Sequence, residues 1–232
     1  MVDLPKNKVL YWRVQALGVF GPSLWSTPHS FTSANAPSTP KLSSPSANAL
    51  LTTYTPTFYW TASTLPAGVT SVYYQLQISA DSTFATTWID DLNEQRSQTN
   101  YLISSPSLLP NTKYYWRVRA YGSNDAYSGW SNVSYFRSAM LSPVMPSQGT
   151  DDPVPSLRPL FDWGDVDGAS NYSIQVSTSS AFSSLSLNKT ATSSNYTPTS
   201  NLPAGHLLYW RVKANGINGP SLWSLPGSFY TP

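Results

Sequence analysis

The sequence predicts an all-β chain assembled from repeated small domains, and three observations carry that prediction. Tyr-Trp-Arg-Val occurs three times, at Tyr11–Val14, Tyr115–Val118 and Tyr209–Val212, with spacings of 104 and 94 residues. That is one small domain per copy and far too long for a solenoid unit. Around the second copy, Tyr114, Trp116, Val118 and Ala120 alternate with Tyr115, Arg117 and Arg119, the period of two of a half-buried strand. The composition agrees: 20 prolines, 14% aromatic and 10% charged residues, with one glutamate, Glu94, in 232 positions. Such proline-punctuated, aromatic-rich, charge-poor chains read as strands and turns.

After each copy of the motif a loop leads to a second tryptophan, in Gly21-Pro22-Ser23-Leu24-Trp25-Ser26, Ser128-Gly129-Trp130-Ser131 and Gly219-Pro220-Ser221-Leu222-Trp223-Ser224. A short strand then ends in Phe31, Phe136 or Phe229, so each copy is a hairpin. In this setting Leu108, Pro110, Thr112, Tyr114, Arg117, Val118 and Ala120, followed by Trp130-Ser131, resemble the end of strand E, the E–F turn and strand F of a fibronectin type III module of the bacterial kind. The resemblance implies tandem immunoglobulin-like β-sandwiches. It makes Tyr114 the tyrosine-corner residue, a role that Leu10 and Leu208 cannot fill in the other copies. It also places Trp25, Trp130 and Trp223 over the outer face of strand F, stacked on Arg13, Arg117 and Arg211.

Taken in order, residues 3–32 align without a gap on 201–230 and agree at 18 of 30 positions. Residues 1–36 are therefore expected to be the F–G hairpin of a module whose strands A to E are absent. Leu10, Trp12, Val14, Trp25 and Phe31 are assigned to its inner face. A lone hairpin is marginal in water, so something must cover that face, most simply the same segment of a second chain. Prolines 37 and 40 mark a linker.

The first full module spans 37–139. Strands are expected near 40–44, at 55–61 with Phe58 and Trp60 inward, at 71–79 with Tyr74, Leu76 and Ile78 inward, at 86–92 with Trp88, and at 100–103, while Phe84 plugs one end. The second module, 140–232, repeats the plan with Phe161, Trp163, Tyr172, Ile174, Val176 and Phe182 in the matching places.

The chemistry the sequence offers is sparse. There are no cysteines, hence no disulfide or thiol site. Net charge is +2, too small and scattered for a nucleic-acid footprint, and no apolar run reaches the roughly 18 to 20 residues of a membrane span. Asp162, Asp165 and Asp167 present oxygens of the kind calcium takes, but Asp and Gly at this spacing make a tight turn and not an EF-hand loop, so no metal is expected. His29 and His206 stand alone in separate copies, and no serine sits in a nucleophile motif, so no catalytic residues and no cofactor are assigned. Asp90-Asp91 and Asp151-Asp152 point to opposite faces of a strand and read as solvated charges.

The resemblance implies a non-catalytic binding or spacing array of an extracellular or cell-surface protein, acting through adhesive or enzyme-inhibiting contacts with proteins. The alternative is a carbohydrate-associated accessory part of a secreted glycoside hydrolase or other enzyme. Ligand contacts are expected in the loops 62–70 and 121–129 and on exposed aromatics, giving Trp88, Tyr115, Tyr127, Asn124 and Asp125 as the binding set, with Tyr73 beside them. The partner is a protein or a polysaccharide.

Overall fold

The computed structural model describes residues 4–5, 8–33, 35–93, 97–105, 107–146 and 153–232, and the strands among them come in three groups. The first is a hairpin: β1 (Val9–Trp12), β2 (Leu17–Gly18), β3 (Gly21–Pro22) and β4 (His29–Thr32). The second comprises β5 (Leu42–Ser44), β6 (Ala49–Leu51), β7 (Thr57–Trp60), β8 (Val72–Ser79), β9 (Ile89–Asn93), β10 (Asn100–Leu102), β11 (Lys113–Gly122) and β12 (Ser134–Ser138). The third comprises β13 (Phe161–Asp162), β14 (Asn171–Ser177), β15 (Leu185–Ala191), β16 (Asn195–Tyr196), β17 (Leu207–Gly216), β18 (Gly219–Pro220) and β19 (Gly227–Tyr230).

The second group is an immunoglobulin-like sandwich. A three-stranded sheet, β10-β7-β5, faces a five-stranded sheet, β6-β12-β11-β8-β9. The period of two in β11 decides which side faces in: Tyr114, Trp116, Val118 and Ala120 have no exposed surface, while Tyr115, Arg117 and Arg119 lie half-buried on the other face. Phe58 of β7 closes edge-on against Trp116 and Phe136, with ring centroids 5.0 and 5.4 Å away, so the two sheets are joined through aromatic contacts. The third group repeats this with Phe161 against Trp210 and Phe229 and with Trp163 against Tyr172. Each sandwich has its own buried cluster.

One strand was not foreseeable. After β5 the chain passes a cis Ser44–Pro45 peptide, and β6 then pairs in parallel with β12, Ala49 opposite Phe136. Its Ala-Leu-Leu sequence is too short to show any alternation. Another difference concerns Phe84 and Phe182. Neither plugs a sandwich end: both sit at left-handed backbone angles, φ 58° and 55°, which turn their rings outward onto arginines.

The N-terminal hairpin copies the β17–β19 hairpin register for register. Leu10 faces Phe31 as Leu208 faces Phe229, and Trp12 faces His29 as Trp210 faces Gly227. In the second sandwich these apolar side chains are covered, Leu208 and Trp210 completely. In the hairpin Trp12 is 49% and Val14 58% exposed. Of the two positions the sequence offers Trp25, the inner face of the hairpin and the stack on Arg13, the structure takes the second. Trp25 lies on the opposite face over Arg13, because the loop that carries it is tied to the strand's outer edge.

Tyr114 makes the corner bond: its hydroxyl accepts from the Leu109 N–H at 3.0 Å. Burial pushes the phenol pKa up. Tyr114→Phe deprives that N–H of its acceptor and should cost about 1–2 kcal/mol in the first sandwich. In urea unfolding followed by tryptophan fluorescence the second sandwich, which has Leu208 there, should keep its midpoint.

Candidate binding surface

An extended polar feature of the chain is a stack on the outer face of β11. Arg117 and Arg119 are two residues apart and share that face. The guanidinium carbon of Arg117 lies 4.1 Å from the Phe84 ring centroid and 4.3 Å from that of Trp130. Arg119 lies 4.6 Å from Trp130 and 4.0 Å from Tyr127, whose ring is 4.6 Å from Tyr121. The order is thus Phe84, Arg117, Trp130, Arg119, Tyr127, Tyr121, with cations alternating between rings.

The in-plane edges are held too. Nε and Nη2 of Arg117 donate to Gln77 Oε1 at 2.9 and 2.7 Å, and Nε of Arg119 donates to Gln75 Oε1 at 2.7 Å. These are directly opposite residues of β8 and β11. The two glutamine amides in turn donate to the two oxygens of Asp90, at 2.6 and 2.9 Å. Asp90 is therefore not the free solvated charge expected of it, because β9 lays it beside Gln77. Burial lowers the Arg117 pKa, the Arg119 charge lowers it further, and Asp90 opposes both.

Local chemistry explains the placement. Only Lys113–Trp116 of β11 pair with β12, so the backbone at Val118 and Ala120 needs other partners. Ser131 and Ser128 supply them: each hydroxyl accepts from the strand N–H, at 3.1 and 2.9 Å, and each serine N–H donates back to the strand carbonyl at 2.8 Å. Trp130 sits between these two ties. Phe84 is presented by a turn built on Asp81, whose carboxylate accepts from Thr83 N, Thr83 Oγ1 and Ala85 N. Those bonds, the Thr83 hydroxyl's first, hold its pKa below the usual carboxylate range.

The second sandwich carries a variant of the stack. Arg211 lies between Phe182 and Trp223, 4.0 and 4.4 Å from their centroids, and donates to Gln175 Oε1 at 3.0 and 2.8 Å. Lys213, with Nζ 4.9 Å from Trp223, replaces Arg119, and Asn188 replaces Asp90 opposite the glutamine. The hairpin keeps only Arg13 over Trp25, at 4.4 Å.

The binding set read from the sequence does not converge. Trp88 is packed beside Tyr114, centroids 6.3 Å apart, and its Nε1 is buried with no acceptor among the described residues. It is half-buried and packs against the core from just before β9, which begins at Ile89. Tyr115 lies tilted beside Tyr135 with the Lys113 ammonium over both rings, and Tyr73 accepts from the Ser71 hydroxyl. Tyr127 belongs to the arginine stack. Asn124 and Asp125 form a turn in which the Tyr121 hydroxyl donates to Asp125 at 2.5 Å.

That turn and the 62–70 loop hold the incoming linker. Asn124 Nδ2 donates to Asn35 O at 3.0 Å and Asn35 Nδ2 to Ala67 O at 2.9 Å. The same pole of the second sandwich holds the first: Asn218 Nδ2 donates to Asn111 O at 2.6 Å, and Arg137 Nη1 to Asn218 O at 3.2 Å. Gly219, at φ +111°, lets the turn lie against Leu50 and Arg137, and a Cβ at Gly168 would collide with the Asn111 amide. The loops expected to bind ligand are thus spent on joints. Asp162, Asp165 and Asp167 are exposed around one of them, and no group of three or more metal-ligating side chains occurs among the described residues. His29 stacks on Trp12, and His206 bonds its own turn at Ala204 O. Asp151 and Asp152 lie outside the described residues.

Residues 42–142 match the family described as Rha78A-like, N-terminal immunoglobulin domain. Among solved structures, one similar chain is that of the chicken CNTN1 FN1–FN3 domains, at 16% identity and a TM-score of 0.37, over 98% of this chain and 77% of that one. No curated protein matches the sequence. Immunoglobulin-like sandwiches are generally non-catalytic modules, and function is argued from sites and not from the fold.

The stack predicts a thermodynamic cycle. Trp130→Ala should destabilise the first sandwich by about 0.5–2 kcal/mol, and Arg117→Ala by more, since it also strips the Gln77 bonds. The double variant should lose little beyond Arg117→Ala, whereas additive losses in urea unfolding would show that the two side chains do not interact.

Proposed function

We propose that the chain is a non-catalytic binding and spacing array of an extracellular or cell-surface protein, holding its partners, proteins or polysaccharides, on outer sheet faces. The observation that carries this reading is the use of the sandwich poles. The loops at Ala67, Asn124 and Asn218, which on an isolated sandwich are free to recognise ligand, are hydrogen-bonded into joints. What remains open is the sheet surface with its arginine stacks. A joint closed by side-chain bonds at both Asn111 and Asn218 sets a distance between successive faces, which is what an array needs for multivalent contact.

Small-angle scattering tests this. The full chain should give one elongated particle, and Arg137→Ala with Asn218→Ala should broaden its distance distribution while circular dichroism stays unchanged. A wild-type chain that already scatters as independent beads would refute the spacing role. The same measurement reads the hairpin: pairing of its open face between two copies predicts a dimer that becomes monomeric on deletion of residues 1–36. Protease treatment of intact source cells, releasing the array without lysis, tests its location.

A second reading, an accessory module of a secreted enzyme, is supported by the matched family being described as an N-terminal domain. A catalytic domain encoded in the same reading frame would decide for it.

A further inference from the structure

We propose that the outer face of the second sandwich, at Arg211 and Lys213, binds an anionic polysaccharide through its uronate carboxylates or sulfate esters; this rests on the outer faces being the contact surfaces of the array. The argument starts from a difference between two otherwise matching stacks. In the first sandwich Arg117 and Arg119 are linked through Gln77 and Gln75 to the carboxylate of Asp90. That charge faces the pair across one glutamine layer. In the second, the residue in register with Gln175 is Asn188, its Oδ1 3.5 Å from the Gln175 amide, so the cations face a neutral group.

The acceptor that Arg211 does find is also neutral. Gln175 Oε1 takes Nε and Nη2, and the rings of Phe182 and Trp223 cover the guanidinium's planar faces. Burial lowers the Arg211 pKa, a sign that its charge is incompletely solvated. The side chain is immobilised, so a ligand anion meets a preorganised donor. Lys213 stands two residues further along the same strand face, ~7 Å away by strand geometry. The strip thus offers two cations in a row, Arg211 held in place and Lys213 beside Trp223, with no carboxylate between them among the described residues.

The spacing selects the ligand. A nucleic-acid duplex carries one charge per ~1.7 Å and is held by a dense basic patch, which two cations per sandwich do not form. A polysaccharide with one anionic group per charged sugar is sparser. Stacked arginines recur at the matching position of each copy, Arg13, Arg117 and Arg211. A repeating polyanion can therefore add weaker contacts along the array once the second sandwich is engaged.

The test uses the full chain, with heparin as the sulfated probe, polygalacturonate as the carboxylated one and dextran as the neutral one, in affinity electrophoresis and calorimetry at low salt. At least one anionic probe should bind and dextran should not, with affinity falling as salt rises. Binding of one anionic probe alone identifies sulfate or carboxylate as the group recognised. Asn188→Asp, which leaves the stack intact, should weaken binding about three- to tenfold, and Asp90→Asn should strengthen it by creating a second uncompensated strip. Lys213→Gln should weaken it comparably, while Arg158→Gln, an equal charge change at an exposed site, should not. Equal effects of Lys213→Gln and Arg158→Gln would mean non-specific attraction and overturn the proposal, as would binding of neither anionic polysaccharide. Scattering from the same samples reports the shape of the array, so failure to bind is separable from failure of the spacing role.

Discussion

Everything on the outer surface of these sandwiches depends on how a strand satisfies its backbone beyond the end of its partner. β12 covers only the first part of β11, and β19 only the first part of β17. Leaving the next N–H and C=O groups bare would cost free energy at each one. Two serines solve this in each copy: Ser128 and Ser131 in the first sandwich, Ser221 and Ser224 in the second, Ser23 and Ser26 in the hairpin. A serine uses its own N–H as donor and its hydroxyl as acceptor, so one residue does the work of a strand pair. The segment between the ties has no freedom to fold inward, and its tryptophan is laid across the arginine. The stack is thus a consequence of backbone accounting before it is a surface with chemistry.

The copies share this frame and differ in what they hang on it. The first sandwich adds a tyrosine hydroxyl at the E–F corner, a second arginine and a carboxylate behind the glutamines. The second replaces these with Leu208, Lys213 and Asn188. The first pair of cations is therefore half compensated by one carboxylate, and the second faces only neutral groups. The two charge-related changes lie on the outer face and leave the buried alternation of the central strand untouched, so surface charge varies independently of the core.

The sequence made the core legible because a buried strand must alternate. Tyr114, Trp116 and Val118, and their counterparts Leu208, Trp210 and Val212, were readable from the period of two alone. The partnership of Trp130 with Arg117 followed from resemblance. Less accessible were features set by single dihedral angles or by distant register. Phe84 looks like a core residue until its backbone is seen in the left-handed region. Asp90 looks solvated until β9 is aligned on β8. Trp88 reads as an exposed aromatic until its ring is seen beside Tyr114, half-buried against the core. The bonds of the pole loops are illegible for a different reason: a loop's composition does not reveal that another part of the chain will occupy it.

The joint carries an evolutionary implication. Asn218 and Gly219 of one sandwich fit Asn111, Leu50 and Arg137 of the other, and Gly168 is held small by the Asn111 amide. The corresponding turn of the first sandwich carries Ser123, Asn124 and Asp125 and is shaped to grip Asn35. The two units descend from one pattern but have become specialised to their neighbours, so recombination that reorders them would pair surfaces that do not match.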